Sequence, residues 1–219
     1  MVDLISGLQA EVVRANLANV RAQIAAAGRD PAGVEIVAAI KYLPAVELQA
    51  LAAGGVTVVG ENRAQELVAK QAVAGAEFTW DFIGRLQSRK VRDLVGRVRY
   101  IHSVASDSAL EQLRRHGTRE TRVMIEVNVA GEDVKGGIAP AELPAFLERC
   151  PVEVVGLMTM PPRAENPELN RPFFAALREL AERHELRELS MGTSQDYAIA
   201  AAEGATIVRL GTSLYRISA

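Results

Sequence analysis

The chain has 219 residues, 49% hydrophobic and 24% charged, with 25 Lys and Arg against 27 Asp and Glu for a net charge of −2. That length suits one substantial core and is short for two independent domains, so a single domain over 1–219 is expected. The composition excludes disorder and a fibrous class, and basic residues scattered without a dominant run leave no footprint for nucleic acid.

From about residue 3 to 27, Leu4, Leu8, Val12, Val13, Leu17, Val20 and Ile24 recur mostly every three or four positions, which predicts a helix with one apolar face stopped by Gly28. Asp3 and Glu11 interrupt the apolar residues, and no basic n-region precedes them, so a secretory signal is not expected. Strands are then predicted near 34–40, 56–60, 79–84, 99–103, 121–128, 152–159, 187–191 and 205–210. Between them lie helical segments near 45–54, 62–75, 87–96, 106–117, 140–149, 169–185 and 195–203. This alternation predicts a single (β/α)8 TIM barrel with an extra N-terminal helix. Runs without polar alternation, such as Ile36 to Ile40 and Val154 to Met158, suit parallel strands covered by helices. The Pro-rich stretch Met160 to Pro167 reads as a rim loop after the sixth strand.

Cys150 is the only cysteine, so no internal disulfide, thiolate zinc cluster or CxxC pair can form, and a reducing cytoplasm fits best. No apolar run approaches the roughly 20 residues needed to cross a bilayer. No membrane partner is expected, and the chain is read as a monomer.

In such a barrel the loops after the strands build the site. They carry Lys41; Gly60, Glu61 and Asn62; Gly84 to Gln87; His102 and Ser103; Asn128; Met158 and Thr159; Met191 to Asp196; and Arg209 to Ser213. A lysine partly desolvated near other cations offers a free amine that condenses with an aldehyde, whereas a solvated lysine merely opens a loop; Lys41 admits both readings. Gly211 lets a phosphate approach the backbone, with the Thr212 and Ser194 hydroxyls beside it, although Gly-Thr and Gly-Thr-Ser also make turns and N-caps.

Arg209 either pairs with a rim carboxylate or faces a ligand's ring nitrogen or phosphate. Asn62 either orients a ring oxygen or caps the following helix, and Met191 with Met158 and Thr159 either lines a pocket or packs the barrel top. His102 is the histidine near a strand end; His116 and His184 fall near helix ends, where solvated or dipole-complementing roles are common. No HxH, HExxH, GxGxxG or GxxxxGK[ST] pattern occurs, so neither metal, dinucleotide nor P-loop chemistry is indicated. If the first and last strands of a closed barrel are neighbours, the amine and the phosphate-sized loop meet at one rim, as a pyridoxal phosphate site requires.

Six motifs in order, Ala39-Ile-Lys-Tyr-Leu-Pro44, Val59-Gly-Glu-Asn-Arg63, Trp80-Asp-Phe-Ile-Gly-Arg-Leu-Gln87, Gly156-Leu-Met-Thr-Met160, Leu189-Ser-Met-Gly-Thr-Ser-Gln-Asp196 and Val208-Arg-Leu-Gly-Thr212, resemble the pyridoxal phosphate homeostasis proteins over nearly the entire chain. The resemblance implies a barrel of the alanine racemase N-terminal type, with pyridoxal 5'-phosphate as a Schiff base on Lys41. It implies phosphate contacts from Ser194, Gly211 and Thr212 and a ring or phosphate contact from Arg209. Asn62 and Met191 complete the expected cofactor-binding set. The pattern departs at Asp81, where relatives usually carry His, and at Thr193, where Met is frequent.

The implied function is to bind and buffer or deliver the cofactor to recipient enzymes, in vitamin B6 and amino-acid homeostasis, without established turnover. The alternative is a pyridoxal phosphate-dependent amino-acid racemase, which needs a second base on the opposite face of the ring; Tyr42, Tyr197 and Tyr215 are the candidates. A third reading is an interaction module in which the cofactor is structural.

Overall fold

The computed structural model describes residues 4–131 and 136–216. Helix α1 spans Ala10–Ala26, and Gly28, at φ 84°, ends it in a left-handed conformation that suits glycine. Eight strands follow: β1 Glu35–Ala39, β2 Val58–Glu61, β3 Thr79–Phe82, β4 Tyr100–Val104, β5 Arg122–Glu126, β6 Glu153–Met158, β7 Glu188–Thr193 and β8 Ile207–Leu210. The connecting helices are α2 Leu48–Ala53, α3 Ala64–Ala74, α4 Val91–Leu94, α5 Asp107–His116, α6 Leu143–Arg149, α7 Arg171–Arg183 and α8 Tyr197–Ala202, with the short α9 Thr212–Tyr215 after β8. The strands pair in parallel in sequence order, and β8 closes onto β1, which makes the (β/α)8 barrel.

Strand parity divides the core in two. Ile36, Ala38, Val59, Val123, Ile125, Leu157, Val208 and Leu210 pack outward with the helices. Val37, Val58, Met124, Met158 and Ile207, one step along the same strands, form a separate buried cluster inside the barrel. Among the described residues no helix is long and apolar enough to cross a membrane.

The extra helix begins at Ala10, later than the apolar repeat implied; residue 3, where it was expected to start, lies outside the described residues. Gly7 has φ 73°, and the Gly7 and Leu8 amides donate to Glu47 Oε1 and Oε2, each at 2.8 Å. Ile5 N donates to Tyr42 O at 2.9 Å, so this segment is extended across the rim beside Lys41. Tertiary hydrogen bonds here override the helical spacing. Helix α1 packs on α2, α8 and α9, and Asn16 Nδ2 donates to the carbonyls of Leu214 at 3.0 Å and Arg216 at 2.9 Å, tying α9 in place.

Candidate functional site

Ala38 lies opposite Leu210 and Val37 opposite Arg209 in the β1–β8 ladder, so the turn holding Lys41 and the loop beginning at Gly211 leave the barrel side by side. A cavity of about 330 Å³ opens at this rim, lined by Lys41, Asn62, Ser194, Arg209, Gly211 and Thr212 with Ile5, Ala39, Tyr42, Ile83, Gly84, Met160, Thr193 and Tyr215. Met191 is not part of that lining. Its neighbour Ser190 points into the barrel, so Met191 points outward and is fully buried with the helix-facing core. The alternation of a strand decides this, and Ser190 is the signal that could have revealed it.

Lys41 is exposed, with Nζ 4.6 Å from the centroid of the Tyr42 ring, so the shielding expected around its amine is absent from the protein alone. The carbonyl of Ile40, just before it, accepts from the buried Lys70 Nζ at 2.7 Å, and Lys70 also pairs with Glu61 Oε2 at 2.5 Å. Glu61 Oε1 in turn accepts the amides of Asn62 at 2.7 Å and Arg63 at 3.2 Å. One buried ion pair therefore ties the turn before Lys41 to the loop that presents Asn62.

Asn62 does not cap α3; the N-cap position is Arg63, without a side-chain bond, and the Glu61 carboxylate takes the free amides instead. Asn62 Oδ1 is buried with no hydrogen-bond partner, an arrangement a protein seldom leaves unless a ligand completes it. Gly84 packs on the Asn62 backbone so closely that a Cβ there would lie 2.1 Å from Asn62 O. The glycine is what lets the two loops meet.

On the opposite wall, Ser194 Oγ lies 2.9 Å from Ser213 Oγ and accepts the amides of Gly211 at 3.2 Å and Ser213 at 3.4 Å. The turn that holds Ser194 is fixed by Asp196, whose Oδ1 accepts Thr193 N at 2.7 Å and Thr193 Oγ1 at 3.0 Å. Two hydroxyls and two amides thus meet at the start of α9, where a phosphate would have to take over the long amide bonds that Ser194 Oγ now accepts. Ser213 was not singled out from the sequence, where it closes the Gly-Thr-Ser run without any distinguishing spacing.

Arg209 is buried and lines the cavity. Its Nη1 donates to Ser190 Oγ at 2.5 Å, and its Nη2 donates to Thr159 O at 2.9 Å and lies 2.9 Å from Met160 Sδ. The rim ion pair considered for Arg209 does not form: among the described residues no carboxylate is in ion-pair contact with it. Burial pushes its pKa down to about 10, against the pull of Glu126 and Asp196, so the guanidinium remains a cation at neutral pH.

The tyrosines separate. Tyr197 OH donates to Gln23 Oε1 at 2.8 Å, toward α1 and away from the cavity. Tyr215 lines the cavity, donates to Ala39 O at 3.1 Å, and burial holds its phenol above the usual range. Tyr42 stands beside Lys41.

The chain matches the family described as "Alanine racemase, N-terminal domain" over residues 10–219. It is 41% identical over 203 residues to the pyridoxal phosphate homeostasis protein of Aquifex aeolicus, covering 86% of this chain and 89% of that one. With the protein of the same name from Pseudomonas aeruginosa the identity is 38% over 216 residues, 94% of each chain. Among solved structures, PipY of Synechococcus elongatus with PLP bound superposes with a TM-score of 0.79 at 33% identity, covering 93% of this chain and 100% of that one. Alanine racemase from Corynebacterium glutamicum, at 18% identity and a TM-score of 0.73, shares the fold over 64% of its length.

Proposed function

The chain belongs to the pyridoxal phosphate homeostasis proteins of the alanine racemase N-terminal-domain family, and from that premise we propose that it binds pyridoxal 5'-phosphate in the rim cavity, on Lys41, and holds it for release to other enzymes. The observation that supports this reading is the β1–β8 ladder beside a cavity whose lining includes both Lys41 and Ser194, Gly211 and Thr212. When bound, the cofactor supplies an aldehyde carbon that condenses with a primary amine, with loss of water.

The residues present fit that group. The unpartnered Asn62 Oδ1 accepts a donor on the ring, and half a turn of the amide about its last torsion offers the NH2 group to a ring oxygen instead. Ser194, Thr212 and the Gly211 amide offer neutral donors for phosphate oxygens. Arg209 lines the cavity as a cation that donates but cannot accept; beside a phosphate it would pair with the anion, and beside a pyridine nitrogen it would disfavour protonation and keep the ring a weak electron sink. Met191 supports the site only through packing.

Against an enzyme of the racemase type stands the placement of the three candidate bases. Tyr197 faces α1, Tyr215 is committed to the Ala39 carbonyl, and Tyr42 is on the side of Lys41. A cavity open at the rim, with none of these tyrosines placed as a second base among the described residues, suits a carrier better than a two-base catalyst; a monomer in the cytoplasm is part of the same proposal.

The test is the absorption spectrum of purified protein mixed with the cofactor. A visible band of amine-bound cofactor that disappears in Lys41→Ala is expected. A band that persists in that variant, or no band in the wild type, removes the assignment.

A further inference from the structure

A line of polar groups, partly exposed at its Glu35 and Arg99 end and buried from Asp81 onward, crosses the barrel interior. Arg99 donates to Glu35 Oε2 at 2.9 Å and, through Nε and Nη2, to Asp81 Oδ1 at 3.0 Å and Oδ2 at 2.6 Å. His102 Nε2 is 3.1 Å from Asp81 Oδ2, His102 Nδ1 is 2.8 Å from Ser190 Oγ, and Ser190 Oγ accepts from Arg209 Nη1. Asp81, His102 and Ser190 have no exposed surface.

We propose that Asp81, His102 and Ser190 form a relay of positioning residues that orients Arg209. The hydrogen count gives the relay a direction. Arginine has no acceptor, so the bond between Arg209 and Ser190 must run from Nη1–H to Oγ. Ser190 is left with one proton, and His102 Nδ1 accepts it only when that nitrogen is bare. The ring proton is then on Nε2, where the Asp81 carboxylate takes it. The series then runs one way, with donors pointing from Arg209 through Ser190 and His102 to Asp81, and it requires the Nε2–H tautomer of His102. A charge on His102 would turn Nδ1–H toward Ser190 and leave the hydroxyl proton without a partner, one atom from a guanidinium of like charge.

The direct partners of this buried cation are two neutral oxygens and a sulfur, and the relay adds to the more distant pull of Glu126 and Asp196. Bonds in such a series polarise one another, so Asp81 makes Ser190 a stronger acceptor for Arg209.

The role in cofactor binding rests on the function proposed above, so the experiment has two arms. In the protein without cofactor, nitrogen-15 NMR of the histidines, with His102 identified by His102→Asn, is expected to show a bare Nδ1 and a protonated Nε2. In Ser190→Ala the Nδ1 signal moves as its hydrogen bond is lost. A doubly protonated ring, or the reverse tautomer, overturns the relay whatever the cofactor does.

In cofactor titrations, Ser190→Ala is expected to weaken binding about tenfold, the scale of one lost hydrogen bond to a charged group, and to shift the absorption band. Ser190→Thr, which restores the hydroxyl, recovers both. Asp81→Asn has a similar effect, and the double variant is no weaker than either single one. Affinity and band unchanged in Ser190→Ala overturn the relay while the binding site stands. Absence of uptake by the wild type removes the cofactor reading and this role with it.

Discussion

Lys70 Nζ lies 2.7 Å from the carbonyl oxygen of Ile40, the residue before Lys41, and pairs with Glu61 at 2.5 Å in an almost fully buried site. A helix side chain thus fixes the exit of the first strand. Lys70→Met leaves the Glu61 carboxylate with only the amides of Asn62 and Arg63. Breaking one side of a buried pair costs about 3–5 kcal/mol, and those two amides place this case at the lower end. Urea unfolding of the two proteins measures the loss, and cofactor affinity falls with it because both the Lys41 turn and Asn62 are released.

Gly84→Ala should be damaging out of proportion to its single carbon. The added Cβ would overlap Asn62 O at 2.1 Å, and backbone must give way because no flexible side chain is at the contact. Overpacking of this kind costs about 1–3 kcal/mol. The loop moves away from the cavity, so affinity for the cofactor drops even where the protein remains folded. Thermal unfolding and titration of the same preparation measure the two effects.

Ser194→Ala and Met191→Ala are expected to fail in opposite ways. Ser194 borders the cavity and bonds to Gly211 and Ser213, so its loss weakens cofactor binding several-fold with little effect on unfolding. Met191 is core, and truncation costs about 2–5 kcal/mol while the intrinsic affinity of the folded protein changes little. Chemical denaturation with titrations below the transition separates them.

Asp81 predicts the acid behaviour of the fold. Burial alone would raise its carboxyl, but the interactions with His102 first and Arg99 second outweigh burial and hold it below the usual range. A depressed native value means that its contribution is complete above the unfolded value of about 3.9 and is lost as pH falls through the native one. The stability gap between wild type and Asp81→Asn, measured by denaturant at successive pH values, should be constant from neutral pH to about 5 and shrink below 4. A gap that widens on acidification contradicts the assignment.

The strand and helix order was readable because punctuated Val/Ile runs and amphipathic spacing recur along the chain, and the rim residues follow because each stands where such a run stops. What the pattern could not disclose was which side of a strand a residue occupies. In a barrel both faces are buried, so Leu189 and Met191 look no different from residues that line the lumen until Ser190 is placed between them. The inner relay was hidden for a related reason: Asp81, His102 and Ser190 are distant in sequence and share no spacing. Residues 5–8 misled because the helical repeat continues through them, while Gly7 and the Glu47 carboxylate decide otherwise.

The ladder between β1 and β8 also bears on biosynthesis. Lys41 emerges from the ribosome early, yet the wall that would grip a phosphate awaits residues 194–213 and the closing strand Ile207–Leu210. During translation the amine is an ordinary side chain on an open sheet. If Lys41 holds the cofactor as proposed, capture of the aldehyde would become selective only after the final strand docks, and polypeptides halted before that point should load none.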